Sequence, residues 1–441
     1  MVITAAPGVE ASSLALLEPR NGVYVMVWPD TEVAAHQADS PSKINERLAR
    51  NIPIWHFAQN IPTLSMSGTP NISVNIGIET KMNTTLVEST NSDAMIFLTI
   101  YPFLAGDMDA VTDDDIRALA AQCKQLNAAG RKVFLRLAPE MNGGWYPWGQ
   151  KPSTYITFWR RVATAVRVQA PATAFVWSPN VRGTGGFALA NWVTPQDFQL
   201  MDTNNDGIVN GTDDPYGPFY PGDAYVDWVG LSLYYYGIRY PYHTNVVPPS
   251  SWFVQTMGGF GTFDFYKIYV EGHNKPFACS ECSSTFFATQ PAGSLLLSVP
   301  PGPGELAIKQ SWWNQTVTSR SLLQQFPRIK LWGLFEFRKK EDDTYRDFQV
   351  LNQSNPNNVF PAFLADLRAA ESNIPFIWAK STVIPSPLSS APSPIPSDDG
   401  ASSHVVTVLG TSDASGQVFS NSLSVFVKSL AAGSLIACWF G

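Results

Sequence analysis

Positive charge is scarce and scattered in this sequence. Lys and Arg number 29 against 36 Asp and Glu, which gives a formal net charge of −7, and charged residues of all kinds make up only 15% of the chain. A protein that binds nucleic acid neutralises backbone phosphates with clustered Lys and Arg. Since the sequence has no basic cluster, we expect no nucleic-acid partner.

Long apolar runs are also missing. No stretch reaches the roughly 20 apolar residues that a membrane-spanning helix needs, and no signal peptide is visible in residues 1–20. Sequons nevertheless favour a secreted or cell-surface protein, which we expect to be a monomer. The sequons begin at Asn71, Asn83, Asn210, Asn314 and Asn352.

Cysteine is rare, and the four cysteines do not form a disulfide framework. Cys279 and Cys282 make a C-x-x-C motif on a predicted strand, where residues three apart are about 10 Å apart at Cα, too far for a bridge. Two cysteines alone do not make a zinc site either. We expect buried thiols here.

Aromatic residues are abundant, at 12% of the chain with 14 Trp, and they concentrate around one acidic residue. The apolar run 133–138 predicts a strand buried on both sides, which Pro139 ends. Glu140 follows at the strand tip, and three aromatic residues lie within the next eight positions. A carboxylate moves protons, and aromatic rings stack on the apolar faces of sugars.

Strands and helices alternate along most of the chain, which predicts an α/β fold, a (β/α)8 TIM barrel. We expect eight barrel strands and five helices. The predicted strands are 22–28, 52–57, 94–101, 133–138, 173–178, 225–234, 275–281 and 329–337. The predicted helices are 41–50, 112–130, 152–168, 304–326 and 361–372.

The segment Glu-Met-Asn-Gly at 140–143, followed by Trp-Tyr-Pro-Trp at 145–148, resembles the acid/base segment of glycoside hydrolase family 26. The segments 173–180 and 225–234 also resemble this family. The family's mannanases carry His before the Glu, whereas this chain carries Pro139. The resemblance covers residues 20–375 and implies a secreted, retaining endo-β-glycanase that needs no cofactor for catalysis.

The resemblance assigns the catalytic roles to two glutamates. Glu140 corresponds to the acid/base at the tip of the fourth strand, and Glu281 corresponds to the nucleophile at the tip of the seventh. Strands four and seven face each other across a barrel, so the two carboxylates can converge to the separation of about 5–5.5 Å found in retaining glycosidases. The resemblance also implies that Tyr234 hydrogen-bonds the nucleophile.

Further side chains are expected to line the site. Arg136, inside a barrel strand, needs a carboxylate partner and is expected to orient an acid. On the eighth strand either Trp332 or Phe335 is expected to lie under the sugar, and Glu336 is the rival carboxylate. The other predicted substrate-binding residues are Trp145, Trp148, Trp177 and Asn180.

Residues 202–213 carry a calcium-loop pattern. Oxygen ligands recur at positions 1, 3, 5 and 12 of this segment, with Gly207 at position 6. We therefore expect a structural calcium ion in a long insertion between strands five and six; an Asx-rich turn is the alternative. The expected ligands are Asp202, Asn204, Asp206, Asp213 and the backbone carbonyl of Ile208.

Composition divides the chain into four parts. We expect an N-terminal segment at 1–20, a catalytic domain at 21–380 and a Pro/Ser-rich linker at 381–411. Residues 412–441 place small residues before an apolar end, an order that resembles a glycolipid (GPI) anchor signal. The alternative is an amphipathic tail.

The expected substrate is a β-linked polysaccharide. β-1,4-Mannan is the first expectation, since the resemblance is to a family of mostly mannanases. Mixed-linkage β-glucan and β-1,3-xylan are the alternatives within the family. A barrel that only binds cell-wall glycan is the alternative outside enzymes, although the presence of both Glu140 and Glu281 argues against it.

Overall fold

The computed structural model describes residues 14–31, 39–62, 78–79, 81–103, 108–181, 186–237, 244–292, 295–341 and 344–382. All of them lie in the larger of two units, which contains Met1–Val383. The predicted anchor signal and the predicted linker, except Ser381 and Thr382, lie outside the described residues.

Eight parallel strands close into a barrel, as the alternation predicted. Strand β1 pairs with β8 on one side and with β2 on the other, which closes the sheet. The strands are β1 Val23–Pro29, β2 Ile54–Asn60, β3 Met95–Tyr101, β4 Val133–Leu137, β5 Thr173–Trp177, β6 Trp228–Tyr235, β7 Phe277–Ser284 and β8 Ile329–Glu336. Two short strands, Ile78–Glu79 and Phe376–Ile377, pair with β2 and β1.

Helices surround the barrel. The α-helices are α1 Pro41–Leu48, α2 Thr85–Glu88, α3 Asp113–Ala128, α4 Pro152–Gln169, α5 Pro195–Met201, α6 Trp252–Met257, α7 Glu305–Gln315, α8 Arg320–Gln325 and α9 Val359–Ala370. Shorter 3₁₀ turns lie at Met108–Ala110, Gly217–Phe219, Asp223–Tyr225 and Gly259–Gly261, and Tyr266–Glu271 is a π-helix.

Local capping explains where several helices begin. Thr112 and Asp115 form a capping box at the start of α3: each side chain accepts the other residue's backbone N–H. Ser40 caps α1 by accepting the N–H of Lys43. Such a cap contributes about 1 kcal/mol to helix stability.

Several features differ from the sequence predictions, and helices α2, α5 and α6 are among the elements that were not predicted. The single helix predicted over 304–326 is two helices, α7 and α8, separated by residues 316–319. A four-stranded antiparallel sheet, here called the rim sheet, was missed; it continues from the ends of β7 and β8. Its strands, in spatial order, are Leu295–Ser298, Phe286–Ala292, Thr344–Asp347 and Arg338–Glu341.

The N-terminal end of the barrel is filled by apolar side chains. Residues before β1 contribute to this layer, since Leu16 and Leu17 pack against it and Trp228 Nε1 donates to the Leu16 carbonyl at 2.8 Å. The barrel is therefore solid at this end, and only its C-terminal end can hold a site. The layer consists of Met26, Ile54, Phe97, Phe134, Ala174, Val176, Trp228, Ala278 and Leu331.

None of the helices in the described part of the chain is both long and apolar enough to cross a bilayer.

Candidate active site

The backbone turns sharply where β4 ends. Ala138 and Glu140, on either side of Pro139, have φ values of 39° and 56°, a region that non-glycine residues adopt infrequently. The Glu140 N–H donates to the Ser178 carbonyl at 3.1 Å, which ties the turn to the end of β5. The turn places the Glu140 carboxylate at the C-terminal mouth of the barrel, where it is 7% exposed.

Two side-chain donors hold the Glu140 carboxylate. Trp145 Nε1 donates to Oε2 at 2.8 Å, and Asn180 Nδ2 donates to Oε1 at 2.9 Å. Burial, and after it the negative charge of Glu281, raise the pKa of Glu140 above its ordinary value, although the charge of Arg136 opposes the shift. Glu140 is therefore suited to carry a proton at a higher pH than an exposed glutamate.

A β-bulge sets the direction of Glu281 in β7. Cys279 pairs with Leu231 of β6, but the next residue of β6, Ser232, pairs with Glu281, so Ser280 is an extra residue. Consecutive residues of β6 face opposite sides of the sheet, and each paired residue of β7 faces the same side as its partner in β6. The bulge thus turns Glu281 to the side that Ser232 faces, opposite to Cys279.

Glycines in both neighbouring strands make room for the bulge. A Cβ atom at Gly230 of β6 would lie 2.4 Å from the Ala278 carbonyl oxygen, and one at Gly333 of β8 would lie 2.5 Å from the Ser280 carbonyl oxygen. Both distances are shorter than real Cβ contacts, so a larger residue at either position would displace the bulged backbone. The orientation of Glu281 depends on these two glycines.

Arg136 and Tyr234 bind the two oxygens of the Glu281 carboxylate. Arg136 is fully buried, and its Nη1 donates to Oε1, while its Nη2 donates to Ser232 Oγ at 2.6 Å. The Tyr234 hydroxyl donates to Oε2 at 2.6 Å. Burial acts to lower the pKa of Arg136, but Glu281 and other nearby negative groups raise it overall. Both donors stabilise a negative charge on Glu281.

Tyr234 stays a donor across the working pH range of most enzymes. Burial, and then the negative charge of Glu281, raise the pKa of Tyr234 well above its ordinary value of 10.0. The phenol keeps its proton, so the hydrogen bond to Glu281 runs from hydroxyl to carboxylate.

The expected substrate contacts of Trp148, Trp177 and Trp332 are wrong, because all three rings are buried. Trp148 stacks on Tyr146 with ring centroids 4.5 Å apart and donates to the Pro139 carbonyl at 2.8 Å, so it supports the turn that carries Glu140. A buried ring has no free face for a sugar. Of the four predicted tryptophans, only Trp145 is half-buried at the site.

The other two rings pack between the barrel and its helices. Trp177 stacks on Phe265, and its Nε1 donates to the Phe219 carbonyl at 3.1 Å. Trp332 packs edge-on against Phe253 of α6. Side chains of a barrel strand alternate between interior and helix layer, and a sequence does not say which set faces inward.

Either Trp332 or Phe335 of β8 was expected under the sugar, and Phe335 is the one that lies beside the site. Its centroid lies 5.6 Å from that of Tyr234 and 5.4 Å from that of Trp28, at the end of β1. Sequence reasoning missed Trp28 and Ser232. The signal for Ser232 was its place two residues before Tyr234 in an apolar strand, which puts both side chains on one face.

Glu336, the predicted rival carboxylate, is engaged by the backbone. Its oxygens accept the N–H groups of Val350 at 3.0 and 3.1 Å and of Leu351 at 2.9 Å, and the side chain is buried. Burial raises the pKa of Glu336 to about 7, although these hydrogen bonds act to lower it. The Glu336 carboxylate binds backbone N–H groups of the chain, and it is not positioned to act on substrate.

The loop at 202–213 lies in the predicted insertion between β5 and β6, and its acidic side chains accept backbone N–H groups of the same loop. Gly207 has φ 84°, and Asp202 accepts the N–H groups of Asp206 at 3.0 Å and Gly207 at 2.9 Å. The buried carboxylate of Asp213 accepts the N–H of Asn210 at 2.8 Å. Within the described ranges, however, no three Asp, Glu, His or Cys side chains are grouped so as to hold a metal ion.

Comparison with known proteins agrees with the resemblance drawn from the sequence. Residues 84–275 match the model of glycosyl hydrolase family 26, which confirms the resemblance over this segment. The match contains Glu140 and ends before Glu281. Endoglucanase H of Acetivibrio thermocellus is 26% identical over 147 residues, which are 33% of this chain and 14% of that protein. The matched part is therefore a small fraction of this relative.

Solved structures of similar fold include two mannanases. One is the family 26 β-mannanase of Bacteroides ovatus, with 13% identity, 81% of this chain and 91% of that chain covered, and a TM-score of 0.48. The other is the catalytic domain of the family 26 endo-β-1,4-mannanase of Bacillus sp. JAMB-750, with 16% identity, 81% and 88% coverage, and a TM-score of 0.48.

The raised pKa of Glu336 predicts a pH-dependent stability. A folded pKa of about 7 against an ordinary 4.5 means that the folded state binds an extra proton between these pH values. The resulting stabilisation is fully present below about pH 4.5 and is lost as the pH rises through about 7, about 3 kcal/mol in total. Glu336→Gln cannot ionise and should not show this loss.

Urea unfolding of both proteins between pH 5 and pH 8 measures the effect. The free energy of unfolding of wild type should fall relative to that of Glu336→Gln as the pH rises. Glu88→Gln, at an exposed position, serves as the matched control and should follow wild type. Parallel curves for wild type and Glu336→Gln would contradict the raised pKa.

Proposed function

We propose that this chain, whose residues 84–275 match glycosyl hydrolase family 26, is a retaining endo-β-glycanase that hydrolyses a β-linked polysaccharide, with β-1,4-mannan as the first candidate. The pair Glu140 and Glu281 carries the proposal. Both are buried at the C-terminal mouth of the barrel, and the negative charge of Glu281 contributes to the raised pKa of Glu140. Burial and the charge of Glu281 favour a protonated Glu140, although the hydrogen bond from Asn180 opposes this shift, and the donors Arg136 and Tyr234 suit Glu281 to act as a carboxylate.

The two carboxyl groups divide the reaction between them. In the first step, a Glu281 oxygen attacks the anomeric carbon as the glycosidic bond breaks, and the Glu140 proton passes to the leaving oxygen. In the second step, Glu140 takes a proton from water, whose oxygen attacks the anomeric carbon and releases Glu281. Two inversions give net retention. The carboxylates supply both the nucleophile and the proton transfers, so the chemistry needs no cofactor.

Neighbouring side chains have supporting roles in this proposal. Arg136 and Tyr234 bind separate oxygens of Glu281 and so aim the carboxylate at the anomeric carbon. Trp145 and Asn180 bind separate oxygens of Glu140; both are half-buried, so each has surface left to contact the sugar. Trp145 presents a ring next to the acid, as sugar stacking requires.

Hydrolysis assays identify the substrate. Mannan, galactomannan, lichenan, β-1,3-xylan and yeast-type glucan are each incubated with the protein, and released reducing ends are measured. Release from mannan supports the first candidate; release from lichenan or β-1,3-xylan supports the two alternatives within the family. No release from any of them at high protein concentration would favour a barrel that binds cell-wall glycan without cleaving it.

Variants of the two glutamates should behave differently. Glu281→Ala removes the nucleophile, so hydrolysis of every substrate should be lost. Glu140→Ala removes leaving-group protonation, so polysaccharide hydrolysis should fall by about 10²- to 10⁴-fold. Aryl glycosides with acidic leaving groups need no such proton, so Glu140→Ala should still release a burst of phenol, and azide should speed its turnover.

Proton NMR of the first sugar product tests the stereochemistry, and Glu88→Ala is the control for an exposed glutamate. Retained configuration supports the double displacement. An inverted product, or activity left intact in Glu281→Ala, would be inconsistent with the assigned roles.

The segment 202–213 is proposed to bind structural calcium. The support is the ligand spacing and the left-handed conformation of Gly207 at position 6, where a calcium loop needs a glycine for its sharp turn. Asp202, Asn204, Asp206, Asp213 and the carbonyl of Ile208 would hold the ion. The ion would stiffen the insertion and would take no part in the reaction.

Calcium should stabilise the folded protein. An ion that binds only the folded state adds about 2.7 kcal/mol to the free energy of unfolding at a concentration 100-fold above its Kd. A chelator should therefore lower the melting temperature of wild type in calcium buffer and leave that of Asp206→Ala unchanged. Equal responses of the two proteins would exclude this site.

The division of the chain also stays a proposal. Residues 21–380 form the catalytic domain, 381–411 the linker and 412–441 a cleaved anchor signal of a secreted or cell-surface monomer. The intact mass of the mature protein tests this, because an anchored product lacks residues near the C-terminus.

A further inference from the structure

Residues 347–351, here called the support loop, begin at the last residue of the rim-sheet strand Thr344–Asp347 and are buried. Irregular backbone in a buried position needs partners for its polar groups. Glu336, at the end of β8, supplies two acceptor oxygens: the N–H groups of Val350 and Leu351 donate to its carboxylate at 3.0 and 2.9 Å. One side chain of the barrel therefore fixes two consecutive peptide units of the loop.

Other groups hold the part of the loop before Val350. The Lys309 ammonium of α7 donates to the Gln349 carbonyl at 2.6 Å and to Asp347 Oδ1 at 2.7 Å. Ser283 Oγ of β7 donates to the Phe348 carbonyl at 2.9 Å. The loop is thus bound to β7, β8 and α7 together, and it carries the ring of Phe348.

The Phe348 ring reaches the proposed nucleophile through one intervening residue. Its centroid lies 5.6 Å from that of Tyr234 and 5.3 Å from that of Phe335, with edge-to-face angles of 63° and 76°. Tyr234 in turn donates to Glu281 at 2.6 Å. The position of the Tyr234 ring is therefore limited on one side by the support loop.

We propose that Glu336 is a positioning residue: it holds the support loop so that Phe348 keeps the Tyr234 hydroxyl on the Glu281 carboxylate. This inference rests on the proposed function and deepens it. A hydrogen bond weakens steeply when its angle or length is disturbed. A small shift of the Tyr234 ring is therefore enough to weaken a contact that orients the Glu281 carboxylate.

A double-mutant cycle tests whether Glu336 acts through Tyr234. Glu336→Met keeps the length of the side chain and removes both acceptor oxygens. Glu336→Gln keeps one acceptor oxygen and is the matched control. In wild type, Glu336→Met should lower kcat about 10-fold and change KM less than about twofold, and Glu336→Gln should restore most of the loss. In the Tyr234→Phe background, Glu336→Met should change kcat less than about twofold.

The pH profile gives a second readout. Because Tyr234 stabilises the negative charge of Glu281, its displacement in Glu336→Met should move the acidic limb of the kcat/KM profile to higher pH. A loss of stability alone would not move this limb. If Glu336→Met does not fold, Phe348→Leu replaces it in the same cycle, because it removes the ring contact and leaves the hydrogen bonds of the loop in place.

All assays use galactomannan, or lichenan or β-1,3-xylan where one of these is the substrate. Equal losses in the wild-type and Tyr234→Phe backgrounds, with an active wild type, would overturn the positioning role and leave the proposed function standing. A wild type that cleaves none of the polysaccharides would overturn both. Loss in wild type only, with recovery in Glu336→Gln, supports the proposal.

Discussion

The ion pair between Arg136 and Glu281 is the interaction on which the rest of the site depends. Arg136 has no exposure to solvent, and a buried guanidinium is tolerated only with partners. Glu281 binds one of its nitrogens and Ser232 another. Removing one member of such a pair costs about 3–5 kcal/mol. The contact that makes the polar interior of the barrel tolerable is therefore also the one that places the proposed nucleophile.

A regular β-strand would not produce this contact. Residues two apart share a face of a regular strand, so Cys279 and Glu281 would point the same way. The bulge at Ser280 separates them, and the glycines at 230 and 333 leave the space that the bulged backbone occupies. The pairing of Arg136 with Glu281 thus depends on glycine residues, which have no side chain, in the two neighbouring strands.

The aromatic residues of this chain serve the carboxylates mainly by packing around them. Trp145 donates a hydrogen bond to Glu140, and Trp148 supports the turn that carries it. Phe348 and Phe335 pack on Tyr234, the donor to Glu281. Rigid rings limit the freedom of each donor, and a fixed donor holds a carboxylate in one orientation without a further entropy loss during reaction. The aromatic residues of this barrel therefore serve to orient the two carboxylates.

The sequence by itself determined the barrel, its eight strands, and the placing of Glu140 just beyond the end of β4, because strand periodicity, Pro139 and helix caps act over a few residues. Glu281, which was expected at a strand tip, lies inside β7, three residues before its end. The sequence also singled out Arg136 as a buried cation that needs an acid. Only the tertiary structure decided which acid pairs with Arg136, because the bulge at Ser280 depends on glycines in other strands. It also decided that Trp148, Trp177 and Trp332 lie in packed layers and that Glu336 binds backbone N–H groups. Which face of a strand points inward is a property of the closed sheet. Contacts between residues that are far apart in the chain leave no local pattern in the sequence.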